Sequence, residues 1–358
     1  MRIIIITSSN NRSGGSRQAI YQAQGLADRG HDVTLCLPHD SSFWELPEAT
    51  SNPLWYRLPA SEQACRETLE RLLPADPDTP TVIHAFHNKA VKRLAWWGLF
   101  WRHRNLICVA HRGVIFHPGN PLPYWSPAMK AFIVNSHACA RSLRWHCPAH
   151  KIFFVPNGIP DSRITPGRSA EAVRNELDLD DRSFTFVYVG NNNPVKGTDT
   201  LLEAFAEANL PDARLVTVGV SAEKWDPMCR KLGIERQVRY AGYVETVCDY
   251  LQVADAFVFP SRGMDSAPNT LMEAIRMGLP TISTTVGGAP DLAEGTGILV
   301  PADDPRKMAE AMRSMSRDSA RREIWAAGSL EKGKRYSVEA RCRTLEELYA
   351  GLLSNRRR

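Results

Sequence analysis

The chain has 358 residues, of which 43% are hydrophobic, and it carries a formal net charge of +5 at pH 7. This length predicts two domains, and the composition supplies enough apolar side chains for two cores. No apolar run reaches the roughly 18 residues of a membrane span, and segment 1–7 is too short for a secretory signal core. These features favour a cytoplasmic protein. Eight cysteines without a C-x-x-C pair are typical of reduced, buried thiols and argue against a disulfide framework or a zinc site.

Charge is divided unevenly along the chain. Residues 1–160 carry 17 Lys and Arg against 10 Asp and Glu, whereas the remainder carries 27 against 29. Segment 79–160 contains no acidic residue, and all ten histidines precede residue 151. A basic half indicates an anionic partner. Charge alone leaves nucleic acid, a phospholipid surface and a phosphorylated glycolipid open.

The first half alternates strands with helices. Strands are predicted at 3–7, 32–37, 82–86, 106–110, 131–134 and 152–155, and helices at 16–29 and 138–146. A glycine-containing loop, 8–15, separates the first strand from the first helix, which ends at Gly30. This alternation predicts a parallel sheet covered by helices on both faces.

The same plan restarts after segment 156–167, whose turn-forming residues are typical of a linker. Strands are predicted at 185–189, 214–218, 238–240, 256–259 and 281–283, and helices at 200–208 and about 338–353. The fold class is therefore α/β, with two doubly wound domains at 1–160 and 161–336 and a C-terminal helix in 337–358. Ligands of such sheets bind beyond the carboxyl ends of the strands.

Segment 260–280 carries the clearest functional signal. Asp265 and Glu273 lie eight positions apart, on either side of the start of a predicted helix. The residues between them suit an open helix N-terminus, with Pro268 in the first turn followed by Asn269 and Thr270. Such an end binds anions, so a diphosphate would suit it, and Glu273 could accept hydrogen bonds from ribose hydroxyls. From spacing alone, a surface loop before an ordinary amphipathic helix is an equal alternative.

The pattern resembles the two-acid motif of the family 4 retaining glycosyltransferases, which have the two-domain GT-B fold. The resemblance implies that Glu273 binds the nucleotide ribose and that Asp265 contacts the donor sugar. It also implies that the segment between the acids holds hydroxyls and phosphate through Ser266, Ala267, Pro268, Asn269 and Thr270. Asp265 stands where the family usually has Glu, one methylene longer. Two such domains facing each other would form a cleft with one substrate on each side. The resemblance also implies that the C-terminal helix in 337–358 returns to the first domain.

The loop 190–197 follows a predicted strand and opens a helix. Lys196 is placed there to neutralise a phosphate, although a solvated loop lysine is the alternative. The resemblance implies that Gly190, Asn191 and Lys196 line the nucleotide-sugar site and that Lys196 stabilises the departing diphosphate. Asn191 stands where the family usually has an arginine, which removes one cation. The arginine-free loop is similar to that of lipopolysaccharide core sugar transferases within the family.

Four residues of the first half and one of the second complete the resemblance. Gly14 and Gly15 follow the first strand and resemble paired glycines near the phosphates and the acceptor. His111 ends a predicted strand, where the family has a histidine that reaches the donor sugar, and Arg112 is implied to contact an anionic acceptor. Val244 lies in a loop that resembles one contacting the base. A glycine pair or a lone histidine at a strand end is also common in ordinary structure.

Segment 89–104 predicts a helix with two different faces. One face is apolar and should pack on the core, and the other mixes aromatic with basic residues: Lys89, Arg93, Trp96, Phe100 and Arg104. Exposed aromatics among bases are typical of a helix that lies on an anionic membrane surface. The alternative is that another element covers this face.

The sequence therefore predicts a retaining glycosyltransferase that uses neither a metal nor a cofactor and works as a peripheral protein at the cytoplasmic membrane face. The donor is a nucleotide diphosphate sugar, with a UDP-sugar favoured and a GDP-sugar possible, and the acceptor is a lipid-linked or lipopolysaccharide-type saccharide. The expected catalytic residues are His111, Lys196 and Asp265. The alternatives are a non-catalytic nucleotide-sugar-binding protein, a glycosyltransferase with a soluble acceptor, and a nucleic-acid-binding protein. The last has no recognisable nucleic-acid module here.

Overall fold

The computed structural model describes residues 1–11, 13–45, 53–180, 182–263 and 265–354. The chain forms two compact units. The first comprises Met1–Gly158 together with the chain from Val338 onwards, and the second comprises Ile159–Ser337. The basic segment Arg356–Arg358, which could add to a membrane contact, lies outside the described residues.

The first unit is built on a seven-stranded parallel sheet with the order β3-β2-β1-β4-β5-β6-β7. Its strands are β1 (Arg2–Thr7), β2 (Asp32–Pro38), β3 (Leu54–Leu58), β4 (Thr81–Phe86), β5 (Leu106–Arg112), β6 (Met129–Val134) and β7 (Ile152–Phe154). The run of isoleucines 3–6 in β1 is almost completely buried because this central strand is covered on both faces. Strand β3 was not predicted from the sequence.

In the described residues before the second unit, the α-helices are α1 (Gly14–Asp28), α2 (Glu62–Leu72), α3 (Asn88–Trp97), α4 (Leu122–Trp125) and α5 (His137–Arg144). The predicted start of the first helix at residue 16 was wrong. Ser13 caps α1 by accepting a hydrogen bond from the Ser16 amide, so Gly14 and Gly15 lie in the first turn and not in a loop.

Helix α3 is shorter than predicted. The sequence indicated a helix to residue 104, but α3 ends at Trp97 and a turn follows at Gly98. A Cβ atom on Gly98 would lie 2.8 Å from the Leu94 carbonyl oxygen and 3.1 Å from Cys108 Sγ, so the chain turns where it packs closely on the sheet. Phe100 therefore lies beyond the helix.

The second unit has a six-stranded parallel sheet with the order β10-β9-β8-β11-β12-β13. Its strands are β8 (Phe184–Val189), β9 (Ala213–Val218), β10 (Val238–Gly242), β11 (Ala256–Phe259), β12 (Thr281–Thr284) and β13 (Gly297–Val300). Its helices are α6 (Ala170–Glu176), α7 (Thr198–Ala208), α8 (Ala222–Leu232), α9 (Cys248–Leu251), α10 (Asn269–Arg276), α11 (Ala289–Ala293), α12 (Pro305–Arg317) and α13 (Ser319–Gly333). Two apolar clusters, one on each face of the sheet, form its core.

The last helix, α14 (Val338–Ser354), belongs to the first unit and packs on α1. The contact is close at Gly25, where a Cβ atom would lie 2.4 Å from Val338 Cγ1 and 2.8 Å from Cys342 Sγ. Arg341, Cys342, Leu345 and Tyr349 of α14 are buried in the unit.

All eight cysteines are free and buried, which confirms the prediction of reduced, internal thiols. Among the helices that the structure describes, none combines the length and the hydropathy that a membrane span requires.

Candidate functional site

The direction in which successive strands are added to the second sheet reverses at β8. The chain passes from β8 to β9 on one side, and later returns to place β11 on the other side. The loops that leave the carboxyl ends of β8 and β11, residues 190–197 and 260–268, are therefore neighbours. In doubly wound sheets ligands bind at such a point. Both loops contain residues that the sequence singled out.

Lys196 and Asp265 meet between these loops. Lys196 Nζ donates a hydrogen bond of 2.7 Å to Asp265 Oδ2, and the two side chains are 27% and 31% exposed. Ser261 Oγ lies 3.3 Å from the same carboxylate oxygen. The sequence identified the lysine and the aspartate but not their contact.

Glycine and asparagine shape the lysine loop. Gly197 has a φ of +69°, and a Cβ atom there would lie 2.1 Å from the Pro260 carbonyl oxygen. Only glycine permits this approach of the two loops. Asn191 Oδ1 accepts a hydrogen bond of 3.0 Å from the Asn193 amide, and Asn193 Oδ1 accepts one from the Val195 amide. Asn191 thus acts within the loop backbone, and Lys196 is the one charged residue of segment 190–197.

A second glycine loop holds the backbone of Asp265. The Gly288 amide donates a hydrogen bond of 2.9 Å to the Asp265 carbonyl. Gly287 has a φ of +61°, and a Cβ atom there would lie 2.2 Å from the same carbonyl oxygen. The glycine pair after β12 therefore fixes the main chain of the first acid.

Helix α10 begins directly after Pro268. Pro268 has φ −66° and ψ 119° and precedes the helix, so the prediction that it lies in the first turn was wrong by one position. The first turn begins with Asn269 and Thr270, and no side-chain hydrogen bond caps this end. Ser266 and Ala267 form the approach to it. Amide groups at such a terminus favour an anionic group.

Glu273 lies one turn into α10 and is 2% exposed. Its Oε1 accepts hydrogen bonds of 2.9 Å from Arg163, whose Nη1 also donates to the Glu245 carbonyl at 3.1 Å. Sequence reasoning missed Arg163, because the arginine and the glutamate are 110 positions apart. Nearby, β10 ends at Gly242 with a φ of +66°, and Val244 packs partly on the core beside the exposed Tyr243.

In the first unit, His111 lies inside β5 and not after it, because the strand extends to Arg112. The His111 ring stacks on Phe86 with a centroid distance of 4.7 Å, and the residue is 6% exposed. Burial and the positive charge of Arg341 lower the pKa of His111 well below its ordinary value. The structure therefore holds this ring neutral at physiological pH.

Arg112 is buried rather than open to solvent. Its guanidinium donates to Tyr124 Oη at 2.7 Å, to Asn88 Oδ1 at 3.2 Å and to the Phe116 carbonyl. These contacts tie the segment after β5 to the start of α3. The predicted contact of Arg112 with an acceptor remains a prediction, and any such contact has to compete with these three partners.

Sequence reasoning also missed His87, which directly follows β4. Its ring lies against the first turn of α1, where a Cβ atom on Gly15 would be 3.0 Å from His87 Nε2. Thr7 Oγ1 lies 2.7 Å from His87 Nδ1. The available signal was its position at the carboxyl end of a buried strand. Gly15, Thr7 and His87 thus meet at the β1 and β4 ends of the sheet.

The aromatic face of α3 is partly covered. Glu62 of α2 accepts from Arg93 at 2.6 and 2.7 Å and lies 3.1 Å from Lys89 Nζ. These bonds lower the pKa of Glu62 to about 2. The Arg93 side chain is 12% exposed, so the expectation of a wholly exposed basic face was wrong for this residue.

An apolar surface nevertheless remains beside α3. It consists of Trp96, Leu99 and Phe100, which are 49%, 42% and 65% exposed. Helix α4 packs beside α3 and adds the exposed residues Leu122 and Trp125, which the sequence did not indicate. The bases Lys92 and Arg104 are also exposed.

Comparisons with known proteins agree with this architecture. Residues 12–163 match the model of Glycosyltransferase Family 4, and residues 183–318 match that of Glycosyl transferases group 1. The chain is 32% identical over 241 residues to the D-inositol 3-phosphate glycosyltransferase of Corynebacterium aurimucosum, an alignment covering 62% of this chain and 57% of that protein. The chain thus spans little more than half the length of this curated relative.

Two solved structures show the same fold. Anabaena Alr3699/HepE in complex with UDP superposes with a TM-score of 0.85 at 18% identity, covering 98% of this chain and all of that one. WaaG, a glycosyltransferase involved in lipopolysaccharide biosynthesis, superposes with a TM-score of 0.66 at 19% identity, covering 97% of this chain and all of that one. The two parallel-sheet units are those of the GT-B fold. The chain therefore carries a Glycosyltransferase Family 4 domain followed by a Glycosyl transferases group 1 domain, the two domains of a GT-B glycosyltransferase.

Proposed function

We propose that the protein is a retaining, metal-independent glycosyltransferase whose second unit binds a nucleotide diphosphate sugar. The observation that carries this proposal is the Lys196–Asp265 pair at the β8–β11 point of the sheet, followed by the open N-terminus of α10. The Lys196 ammonium group and the N-terminus of α10 can bind a diphosphate, and the Asp265 carboxylate can accept hydrogen bonds from sugar hydroxyls.

In the proposed reaction, the bond between the anomeric carbon and the leaving phosphate oxygen breaks while the acceptor oxygen bonds to the same face of that carbon. The acceptor proton passes to the leaving phosphate, so no protein base is assigned. Lys196 and the α10 amides stabilise the charge that develops on the diphosphate. Asp265 contacts the donor sugar, Glu273 accepts from the ribose beside Arg163, and His111 donates to a sugar hydroxyl. These roles are carried over from the family motif.

The donor base is proposed to be uracil, with a GDP-sugar second. The backbone around Val244 would contact the base, and Gly14, Gly15 and Gly190 would permit close approach of the substrates. Asn191 contributes no charge, so Lys196 supplies the only cation of its loop.

The acceptor is proposed to be a lipid-linked or lipopolysaccharide-type saccharide at the cytoplasmic face of the membrane. The support is the apolar surface of Trp96, Leu99 and Phe100 beside the exposed bases Lys92 and Arg104. The similarity to the C. aurimucosum D-inositol 3-phosphate glycosyltransferase favours a second candidate, a soluble phosphorylated acceptor.

A thermal-shift panel of UDP-, GDP- and ADP-sugars tests the donor site. A ligand at about 100 times its dissociation constant adds roughly 2.7 kcal/mol, which raises the melting temperature by several degrees for units of this size. We expect one nucleotide series to stabilise the protein and Glu273→Gln to abolish that shift. Glu176→Gln is the matched control, because Glu176 also pairs with an arginine, Arg168, on the same unit.

Release of nucleoside diphosphate from the stabilising donor separates the remaining alternatives. Release that depends on a saccharide acceptor supports transfer. Stabilisation without any release, across a panel of acceptors, would leave the non-catalytic nucleotide-sugar-binding protein as the better description. Absence of a shift with every donor would contradict the donor site itself.

A further inference from the structure

A fully buried arginine of the C-terminal helix reaches the candidate catalytic histidine. Arg341 lies in the first turn of α14 and is 1% exposed. Its Nη2 lies 3.4 Å from His111 Nδ1. Both residues belong to the first unit, although they are 230 positions apart.

The other partners of Arg341 are uncharged. Nη1 donates to the Val155 and Pro156 carbonyls at 3.2 and 2.6 Å, and Nη2 donates to Gln22 Oε1 at 2.9 Å. Within the described part of the chain, no carboxylate contacts this guanidinium. Burial of an uncompensated charge is costly, and replacing it with an apolar residue would ordinarily stabilise a core. A cation in this position therefore calls for a functional explanation.

The arginine restricts the chemistry of the histidine. A guanidinium can only donate hydrogen bonds, and it does not lose its proton in proteins. His111 Nδ1 must therefore present its lone pair, which places the single ring proton on Nε2. A second proton on Nδ1 would set an N–H group against the Arg341 N–H and place two cations 3.4 Å apart in a buried site.

The other groups around the His111 ring also disfavour its protonation. The titratable groups that face it are His84 of β4, 6.5 Å away between ring centroids, and His87 after β4, besides Arg341 of α14. Phe86 of β4 covers one face of the ring. His84 is itself held neutral, with Gln22 Nε2 and Tyr349 Oη at 2.7 and 2.6 Å from its Nδ1.

We infer that Arg341 is a positioning residue that holds His111 as a neutral imidazole with its proton on Nε2, so that the ring can donate a hydrogen bond to the substrate but cannot act as an acid. The catalytic part of this inference rests on the proposed function. The tautomer and the charge of His111 exist without any substrate and are measured separately.

The test is NMR of the full-length protein with 15N-labelled histidine, with the His111 signal assigned by His111→Gln. We expect the His111 signals of the wild type to be those of the Nε2–H tautomer. We also expect these signals to show a neutral ring between pH 8 and pH 5. In Arg341→Met we expect His111 to populate both tautomers and its pKa to rise relative to the wild type, although burial still lowers it. Arg343→Met, on the exposed side of the same helix, is the control and should leave His111 unchanged.

Wild-type His111 in the Nδ1–H tautomer, or titrating like an ordinary histidine, would overturn the inference without recourse to any variant. An Arg341→Met variant in which His111 keeps both the pKa and the single tautomer of the wild type would do the same. If Arg341→Met does not fold, Arg341→Lys preserves the charge and must preserve the neutral ring but not the fixed tautomer, because a lysine offers a single flexible group.

Kinetics then tests the catalytic part. The wild type should show no loss of kcat/KM from His111 protonation between pH 8 and pH 6, and the fall of kcat/KM on the acid side should lie at higher pH in Arg341→Met than in the wild type, because removal of the neighbouring charge raises the pKa of His111. A merely structural role would lower activity equally at all pH values. A wild type without transferase activity would contradict the proposed function and leave the NMR result standing.

Discussion

At the scale of single residues, the Lys196–Asp265 pair contributes little to the stability of the fold, yet it lies between two loops whose backbones are closely fixed. Both side chains are about one-third exposed, and such ion pairs contribute only about 0–1 kcal/mol to folding. The surrounding glycines 197, 287 and 288 nevertheless fix both loops closely. This rigidity favours a role in binding a charged ligand over a role in stability.

The residue-scale prediction is that Lys196→Met lowers kcat/KM by about 100- to 1,000-fold, because one preorganised group no longer stabilises the leaving diphosphate. The melting temperature should change little. Lys224→Met is the matched control, because Lys224 Nζ donates to the Asn192 carbonyl of the same loop without approaching Asp265 in the described contacts. Steady-state rates of nucleoside diphosphate release measure both variants, and a loss below threefold in Lys196→Met would contradict the assignment.

The sequence allowed Asp265, Glu273 and Lys196 to be predicted as site residues, because each lies within a single strand–loop–helix segment. Arg163 and Arg341 were not, since each reaches its partner only through tertiary packing over more than 100 positions. Asn191 was identified as a missing cation, but its hydrogen bond within the loop required coordinates.

At the scale of elements, the α1–α14 contact explains a glycine that sequence reasoning would otherwise count against a helix. Gly25 lies in the middle of α1, and the space of its missing side chain is filled by Val338 and Cys342. The sequence predicted both helices, and α14 ended within one residue of its predicted bound. Helices α2, α8, α12 and α13 and strands β3 and β13 are among the elements that were not predicted, since none of them carries a motif residue.

The element-scale prediction compares two glycine-to-alanine changes. Gly25→Ala should destabilise the first unit by about 1–2 kcal/mol, because overpacking against the stiff side chain of Val338 outweighs the better helix propensity of alanine. Gly351→Ala in α14 should stabilise by about 0.5–1 kcal/mol, since nothing lies within 4 Å of its Cβ position. Urea unfolding followed by tryptophan fluorescence measures both, and equal effects of the two changes would refute the close contact.

At the scale of the whole molecule, the division of charge follows the division of the fold. The net positive charge lies in the first 160 positions, where 17 Lys and Arg face 10 Asp and Glu, and the apolar surface of Trp96, Leu99 and Phe100 lies on the same unit. The fold class was predictable because two successive strand–helix alternations specify two parallel sheets. The covering of α3 by Glu62 was not, because α2 was itself missed.

The whole-molecule prediction is that the protein floats with vesicles of phosphatidylglycerol and phosphatidylethanolamine but not with phosphatidylcholine, and that 0.5 M salt weakens binding, since salt screens exposed charges. Trp96→Ala/Phe100→Ala should reduce the bound fraction at least threefold, a rough estimate from the lost apolar area. Ile324→Ala/Leu330→Ala removes exposed apolar area from the second unit as a control. Equal flotation of both double variants would exclude the proposed membrane surface.

At His87, backbone strain lowers the stability of the fold while the strained conformation holds the imidazole beside Gly15 and Thr7. Its φ of +69° with ψ of 154° belongs to a region that is nearly reserved for glycine and costs other residues about 1–3 kcal/mol. Domains retain only about 5–15 kcal/mol in total. Selection for heat resistance alone would therefore drive position 87 towards glycine, and the imidazole beside Gly15 and Thr7 would disappear. A more thermostable variant obtained in this way would lack the imidazole, so any activity that it lost would report on the role of that ring.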